Sequence, residues 1–179
     1  TVPRPPIRHY SGGTMPTPPA ILQVLPALHS GGVERGTVEI AQAIARAGYR
    51  ALVASAGGAM AREVEAVGGR HVTLPLDRKS PAALVANAGA LARLIRAEGV
   101  RIVHARSRFP AWSAFWAARR TGVRFVTTYH GVYSEDFPGK RLYNSVMVRG
   151  DRVIAISEHV AEVIRRRHGI GPDRLRLIP

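Results

Sequence analysis

The chain has 179 residues, 46% of them hydrophobic, and carries 26 basic against 12 acidic side chains for a formal charge of +14. That is enough apolar sequence for one domain with a core, while no run approaches the ~20 apolar residues of a membrane span and no signal peptide is visible. The lack of cysteine excludes disulfides and thiolate metal sites and fits a cytoplasmic protein, and the positive excess points to an anionic partner such as phosphate, anionic lipid or nucleic acid, or else to a solvated basic surface with no specific partner.

Residues 1–20 hold six of the thirteen prolines and show no apolar periodicity. Thr1–Pro19 is expected to be a disordered Pro-rich tail, with Met15 a candidate natural start and residues 1–14 lying upstream of it. From Ala20 to Pro179 short apolar runs alternate with amphipathic stretches that end at glycine. The runs are Ile21–Leu25, Ala51–Ala54, His71–Leu74, Arg101–His104, Phe125–Tyr129, Arg152–Ile156 and Leu175–Ile178. They are short, often β-branched and nearly continuous, as buried parallel strands are.

The stretches between them read as helices. Val33, Thr37, Ile40, Ala41 and Ile44 share one face, with Gly48 as a stop. A shorter helix is expected around Ala61–Val67. Leu84, Ala88, Leu91 and Ile95 form a second long stripe after Pro81. Pro110, Trp112, Phe115 and Trp116 open another, closed by Gly122. Leu142, Tyr143, Val146 and Met147 mark one that ends at Gly150, and Ser157 caps a last one that ends at Gly169. Strands alternating with helices predict an α/β, doubly wound, mainly parallel sheet of about seven strands. Ligands of such sheets bind beyond the carboxyl ends of the strands.

Three of those ends carry candidate chemistry. In His29–Gly36 the pair Gly31 and Gly32 lets a ligand approach the backbone, and the helix that follows offers free N–H groups to a phosphate. The spacing is not that of a dinucleotide fingerprint or a Walker loop, and a tight turn that merely needs glycine explains it equally well. His130, directly after a strand and before Gly131, is placed to hydrogen-bond a substrate or to act as acid or base. The competing role is a strand-end histidine bonded to the backbone. Arg106 and Arg108 suit anion or acceptor contacts, or are surface charges, while His104 is expected to be packed or locally satisfied. No histidine or carboxylate spacing supports a metal site.

Together these segments resemble the N-terminal domain of the large retaining glycosyltransferase family with the GT-B fold, of the subfamily-4 type. The resemblance runs from Ile21 to Pro179 through Ser30–Arg35, Ile102–Ser107, Val126–Gly131 and Asp151–Glu158, four loose elements in the right order. It implies a Rossmann-like N-terminal half, lacking the C-terminal donor domain. It also implies retaining transfer of a hexose-type sugar from a UDP- or GDP-linked donor to a glycan or lipid-linked acceptor, without metal or other cofactor. In that frame Gly31 and Gly32 lie near the donor pyrophosphate. His130 assists transfer, Glu34, Arg35, Arg106 and Ser107 line the acceptor side, and Ser157 with Glu158 is structural. Cell-envelope polysaccharide or glycolipid synthesis follows as the expected role, at the inner face of the membrane. Arg93 and Arg96, or Arg119 and Arg120, are candidate contacts with anionic lipid. A half-site alone is expected to be inactive. The competing reading is a non-catalytic nucleotide- or phosphate-binding module. Nucleic acid is not expected as a partner, since no recognition motif or aromatic platform accompanies the charge.

Overall fold

The computed structural model describes residues 17–137 and 139–179. Seven strands form one parallel sheet: β1 (Ala20–Val24), β2 (Arg50–Ser55), β3 (Arg70–Thr73), β4 (Val100–Ala105), β5 (Arg124–Tyr129), β6 (Arg152–Ala155) and β7 (Leu175–Leu177). Their spatial order is β3-β2-β1-β4-β5-β6-β7. Each apolar run expected to be a strand is one, within one or two residues at either end. Of the expected tail, residues 1–16 lie outside the described residues. The carbonyls of Pro18 and Pro19 accept hydrogen bonds from the Arg50 side chain and backbone N–H, at 3.0 and 3.2 Å.

Helices α1 (Gly32–Arg46), α2 (Ala61–Ala66), α3 (Pro81–Ala97), α4 (Arg108–Thr121), α5 (Lys140–Asn144) and α6 (Glu158–His168) connect the strands. Alternation along the strands sends side chains to two layers. Leu22, Val24, Leu52, Ala54 and Val103 join Leu91, Ile95, Ala114 and Ile164 in the larger core. Ala51 and Val53 face the other way, toward Leu28, Val38, Ala41, Met60 and Val64. The sheet is thus buried on both faces, which is why its strands read as continuous apolar runs. Ser157 caps α6 by accepting from the Val160 N–H at 3.2 Å, and Ser80 caps α3 in the same way through Ala83 at 3.1 Å.

The helix expected from Leu142 to Met147 is interrupted. Ser145–Val148 is a 3-10 turn rather than a continuation of α5. Buried Asn144 is tethered at both ends of its amide, donating to the Ser134 carbonyl at 3.0 Å and accepting from Arg108 at 2.9 Å. Thr127 then takes the Met147 carbonyl at 2.6 Å. These long-range bonds hold the turn tighter than the local apolar spacing predicts.

Candidate functional site

The strand order reverses between β1 and β4, because the chain leaves β1 toward β2 and β3 and returns on the other side. A crevice opens at the carboxyl ends of the strands at such a reversal. Here a cleft of about 670 Å³ is lined by Gly32, Val33 and Gly36 of α1, by Arg106, Thr128 and His130, and by an apolar wall of Ile154, Ile156 and Ile178. A smaller recess of about 210 Å³ is lined by Glu34, Ser107, Arg108 and Tyr133, and shares Val33, Arg106 and His130 with the cleft.

Arg106 extends the β1–β4 ladder by one residue, its N–H donating to the Val24 carbonyl at 3.0 Å. Its side chain is buried, only 4% exposed. One guanidinium nitrogen reaches Gln23 Oε1 at 3.4 Å, and Gln23 in turn donates to the Thr37 carbonyl at 2.9 Å, which turns its oxygen toward the arginine. Gly36 permits this approach: a Cβ there would stand 2.9 Å from Arg106 Nη2. Burial pulls the Arg106 guanidinium down to about 10, against the opposing pull of Glu34 and Glu39, so it stays charged at neutral pH. Its Nε has no hydrogen-bond partner.

His130 follows the last residue of β5, and its Nε2 is likewise buried without a partner. Burial first, then the charge of Arg106, holds its imidazole down to about 4. His104, at the end of β4, shares a 2.7 Å hydrogen bond with the Thr128 hydroxyl. Burial first, then Arg106 and His130, holds it at about 3. Both rings are neutral at pH 7, so His130 offers the cleft one hydrogen-bonding nitrogen rather than a second cation.

This has a consequence for acid stability. Both folded-state values lie below the ordinary histidine value of about 6.5, so the unfolded chain takes up these protons first. Their contribution to stability is fully present above pH ~6.5 and is lost as pH falls toward about 4 for His130 and about 3 for His104. The urea midpoint is expected to decline over that range, and less steeply in His104→Gln, which keeps a partner for Thr128. An equally steep decline in the variant would remove His104 as a source.

The residues singled out from the sequence divide into two groups. Gly32, Glu34, Arg106, Ser107 and His130 line the cleft or its recess. Gly31 shapes the turn at φ 146°, and a Cβ there would meet Glu34 Oε2 at 2.6 Å, because the Glu34 carboxylate folds back toward the start of α1. Arg35 stands apart: it pairs with Glu63 of α2 at 2.8 Å, is largely exposed, and lines neither cavity. Arg108 is no free surface charge; it lies over the Tyr133 ring at 4.3 Å and donates to Asn144. Gln23, Thr128 and Tyr133 complete the site without having been picked out. Gln23 had a signal, as the one polar side chain inside the apolar run of β1. Among the described residues no group of three or more His, Asp or Glu is placed to hold a metal ion, and no helix is long and apolar enough to cross a membrane.

The model of Glycosyltransferase Family 4 matches residues 30–179. No curated protein matches the chain. Among solved structures, a glycosyltransferase from Rickettsia africae superposes with a TM-score of 0.77 at 38% identity, covering 90% of this chain and 42% of that one. Anabaena HepE, solved in complex with UDP-glucose, superposes with a TM-score of 0.70 at 19% identity, covering 89% of this chain and 43% of its own. The lipopolysaccharide outer core galactosyltransferase WaaB superposes at 0.67 and 13% identity, covering 88% of this chain and 44% of that one; these last two likenesses are of fold. The chain therefore spans less than half the length of each of these three structures. With the family model covering all but its first residues, the chain belongs to glycosyltransferase family 4.

Proposed function

We propose that the chain forms the N-terminal, acceptor-side half of a two-domain enzyme. That enzyme moves a hexose-type sugar from a nucleotide diphosphate sugar to a hydroxyl of a glycan or lipid-linked acceptor, with retention at the anomeric carbon. The observation that carries the reading is the pair of buried polar atoms without partners, Arg106 Nε and His130 Nε2, in residues that line one cleft at the strand-order reversal. Buried polar groups are nearly always bonded, so an unbonded one calls for an explanation; a third such atom, Glu135 Oε1, lines neither cavity, whereas these two share one cleft that a ligand would fill. A permanent cation beside a neutral imidazole suits a substrate that is an anion at one end and a polyol at the other.

In this reading Gly31 and Gly32 let the donor diphosphate approach the start of α1. Arg106, expected from the resemblance on the acceptor side, is proposed instead to stabilise negative charge as the sugar–diphosphate bond breaks, and His130 to hydrogen-bond the transferred sugar. Glu34 and Ser107 face the acceptor. Arg35 joins them only if its pair with Glu63 opens. The apolar wall of Ile154, Ile156 and Ile178 is the surface against which the donor domain closes. UDP-glucose, the ligand of HepE, is the first donor to test, with GDP-linked hexoses after it. Envelope polysaccharide or glycolipid synthesis at the inner membrane face is the proposed setting. There the exposed Arg93 and Arg96 of α3 meet anionic lipid.

The test compares the chain alone with the two-domain enzyme against a panel of UDP- and GDP-linked sugars. Transfer by the complete enzyme, with donor binding to the chain alone weaker than about 1 mM, is the expected outcome. Micromolar donor binding by the chain, with no transfer by the longer protein, would instead establish a phosphate-binding module.

A further inference from the structure

A second cleft lies at the opposite end of the sheet, at the amino ends of β4 and β5. It encloses about 830 Å³ and is lined by Arg101, Arg119, Arg124, Arg149, Phe115 and Asp151 among others. The strands that separate it from His130 and Arg106 are six residues long, about 20 Å, so it has no part in the site described above.

Four arginines from four different segments, all of them exposed, line it together with one carboxylate, Asp151. Asp151 is already committed to the fold: one oxygen accepts from the Phe125 N–H at 2.8 Å and the other pairs with Arg124 at 3.2 Å. Arg101 and Arg119 have no ion-pair partner among the described residues. Arg149 lies over the rings of Trp112 at 5.2 Å and of Phe115, which lines the cleft, at 5.7 Å. The basic last turn of α4 accounts for Arg119 through the helix dipole. It does not account for Arg101, Arg124 and Arg149, which come from outside that helix. Like charges gathered into a concavity repel one another, and a bound anion relieves that repulsion.

We infer that this cleft is a second ligand site, which takes a small, multiply charged phosphate anion of about diphosphate size. Forked guanidiniums match phosphate oxygens in pairs. The volume exceeds what one phosphate fills, and the concave shape favours a soluble anion over a flat lipid surface. Asp151 shows the local chemistry on a smaller scale, since a carboxylate is held there by one arginine and one backbone N–H.

The chain carries its own reporter. Its two tryptophans, Trp112 and Trp116, both lie on α4, one of them under Arg149. Titration with inorganic pyrophosphate is expected to change their fluorescence saturably. Arg101→Gln with Arg119→Gln should weaken that binding about tenfold or more, the loss of one to two charge-assisted contacts, without changing the thermal midpoint. The charge-matched control, Arg62→Gln with Arg93→Gln, should bind as the parent does. Equal weakening in both pairs would mean diffuse attraction to a basic surface and would overturn the site. Binding that survives in the Arg101/Arg119 pair but is lost in Arg106→Gln would place the anion in the first cleft and overturn it too. Binding to phosphatidylglycerol vesicles that depends on Arg101 and Arg119, with none to pyrophosphate, would assign the arginines to a membrane instead.

Discussion

On the proposed function, His130→Ala in the two-domain enzyme is expected to lower turnover about a hundredfold, the usual loss when one placed hydrogen-bonding group is removed from a reacting centre. It should leave folding stability unchanged or slightly raised. The two expectations separate a functional histidine from a structural one. A structural strand-end histidine has a partner, and its removal orphans that partner at a cost of about 1–3 kcal/mol. His130 Nε2 has no partner to orphan, whereas His104, near the end of the preceding strand β4, is bonded to Thr128. His104 is therefore the control: its alanine variant should lose stability. With its imidazole held at about 4 by burial and by Arg106, His130 should produce no rise in turnover across pH 6–7. His130→Gln, which keeps a hydrogen-bonding end, should recover part of the rate. Turnover in His130→Ala equal to that of the parent would remove the residue from the site.

The fold was legible in the sequence because a parallel sheet buried on both faces leaves an unambiguous trace: continuous apolar runs, helical stripes and glycine stops. Its failure at Ser145–Val148 has a definite cause, since Asn144 and Met147 answer to Ser134, Arg108 and Thr127 rather than to their neighbours in sequence. The site was legible in part. A histidine after a strand and a glycine pair before a helix are local patterns at the right end of the sheet. The burial of Arg106 was not legible. It depends on Gly36, the fifth residue of α1, where a Cβ would crowd the guanidinium, and on Gln23, which stands opposite across the strand-order reversal. Arg35 looked as eligible as Glu34 in sequence. One step along a helix turns a side chain by about 100°, enough to send it to Glu63 on α2 instead of into the recess.

Gly58→Ala is expected to be the most damaging single-methyl change near the site. Gly58 lies in the loop after β2 with φ 136°, and a Cβ there would stand 2.3 Å from the Leu28 carbonyl oxygen and 2.9 Å from the His29 nitrogen. Both are backbone atoms of the loop after β1, so no rotamer change relieves the clash. The two loops are bonded to each other: Leu28 N–H donates to Gly57 at 2.7 Å, and the Leu28 carbonyl accepts from Met60 at 2.9 Å. Moving that carbonyl away breaks the second bond and lifts the fully buried Leu28 from its core against Val38 and Val64. Backbone strain, a lost buried hydrogen bond and a disturbed core side chain together amount to about 3 kcal/mol or more, a fall of about 10 °C in thermal midpoint for a domain of this size. Gly57→Ala separates the causes. Its φ of 96° is also unfavourable for alanine, but a Cβ there meets nothing within 4 Å, so it should cost only about 1–2 kcal/mol. Leu28 is followed directly by His29, Ser30 and the Gly31 turn. Gly58→Ala should therefore also weaken donor binding in the complete enzyme at temperatures where the variant remains folded, while Gly57→Ala should not. Equal losses of stability in the two variants would show that conformational strain, and not the contact with Leu28, sets the cost.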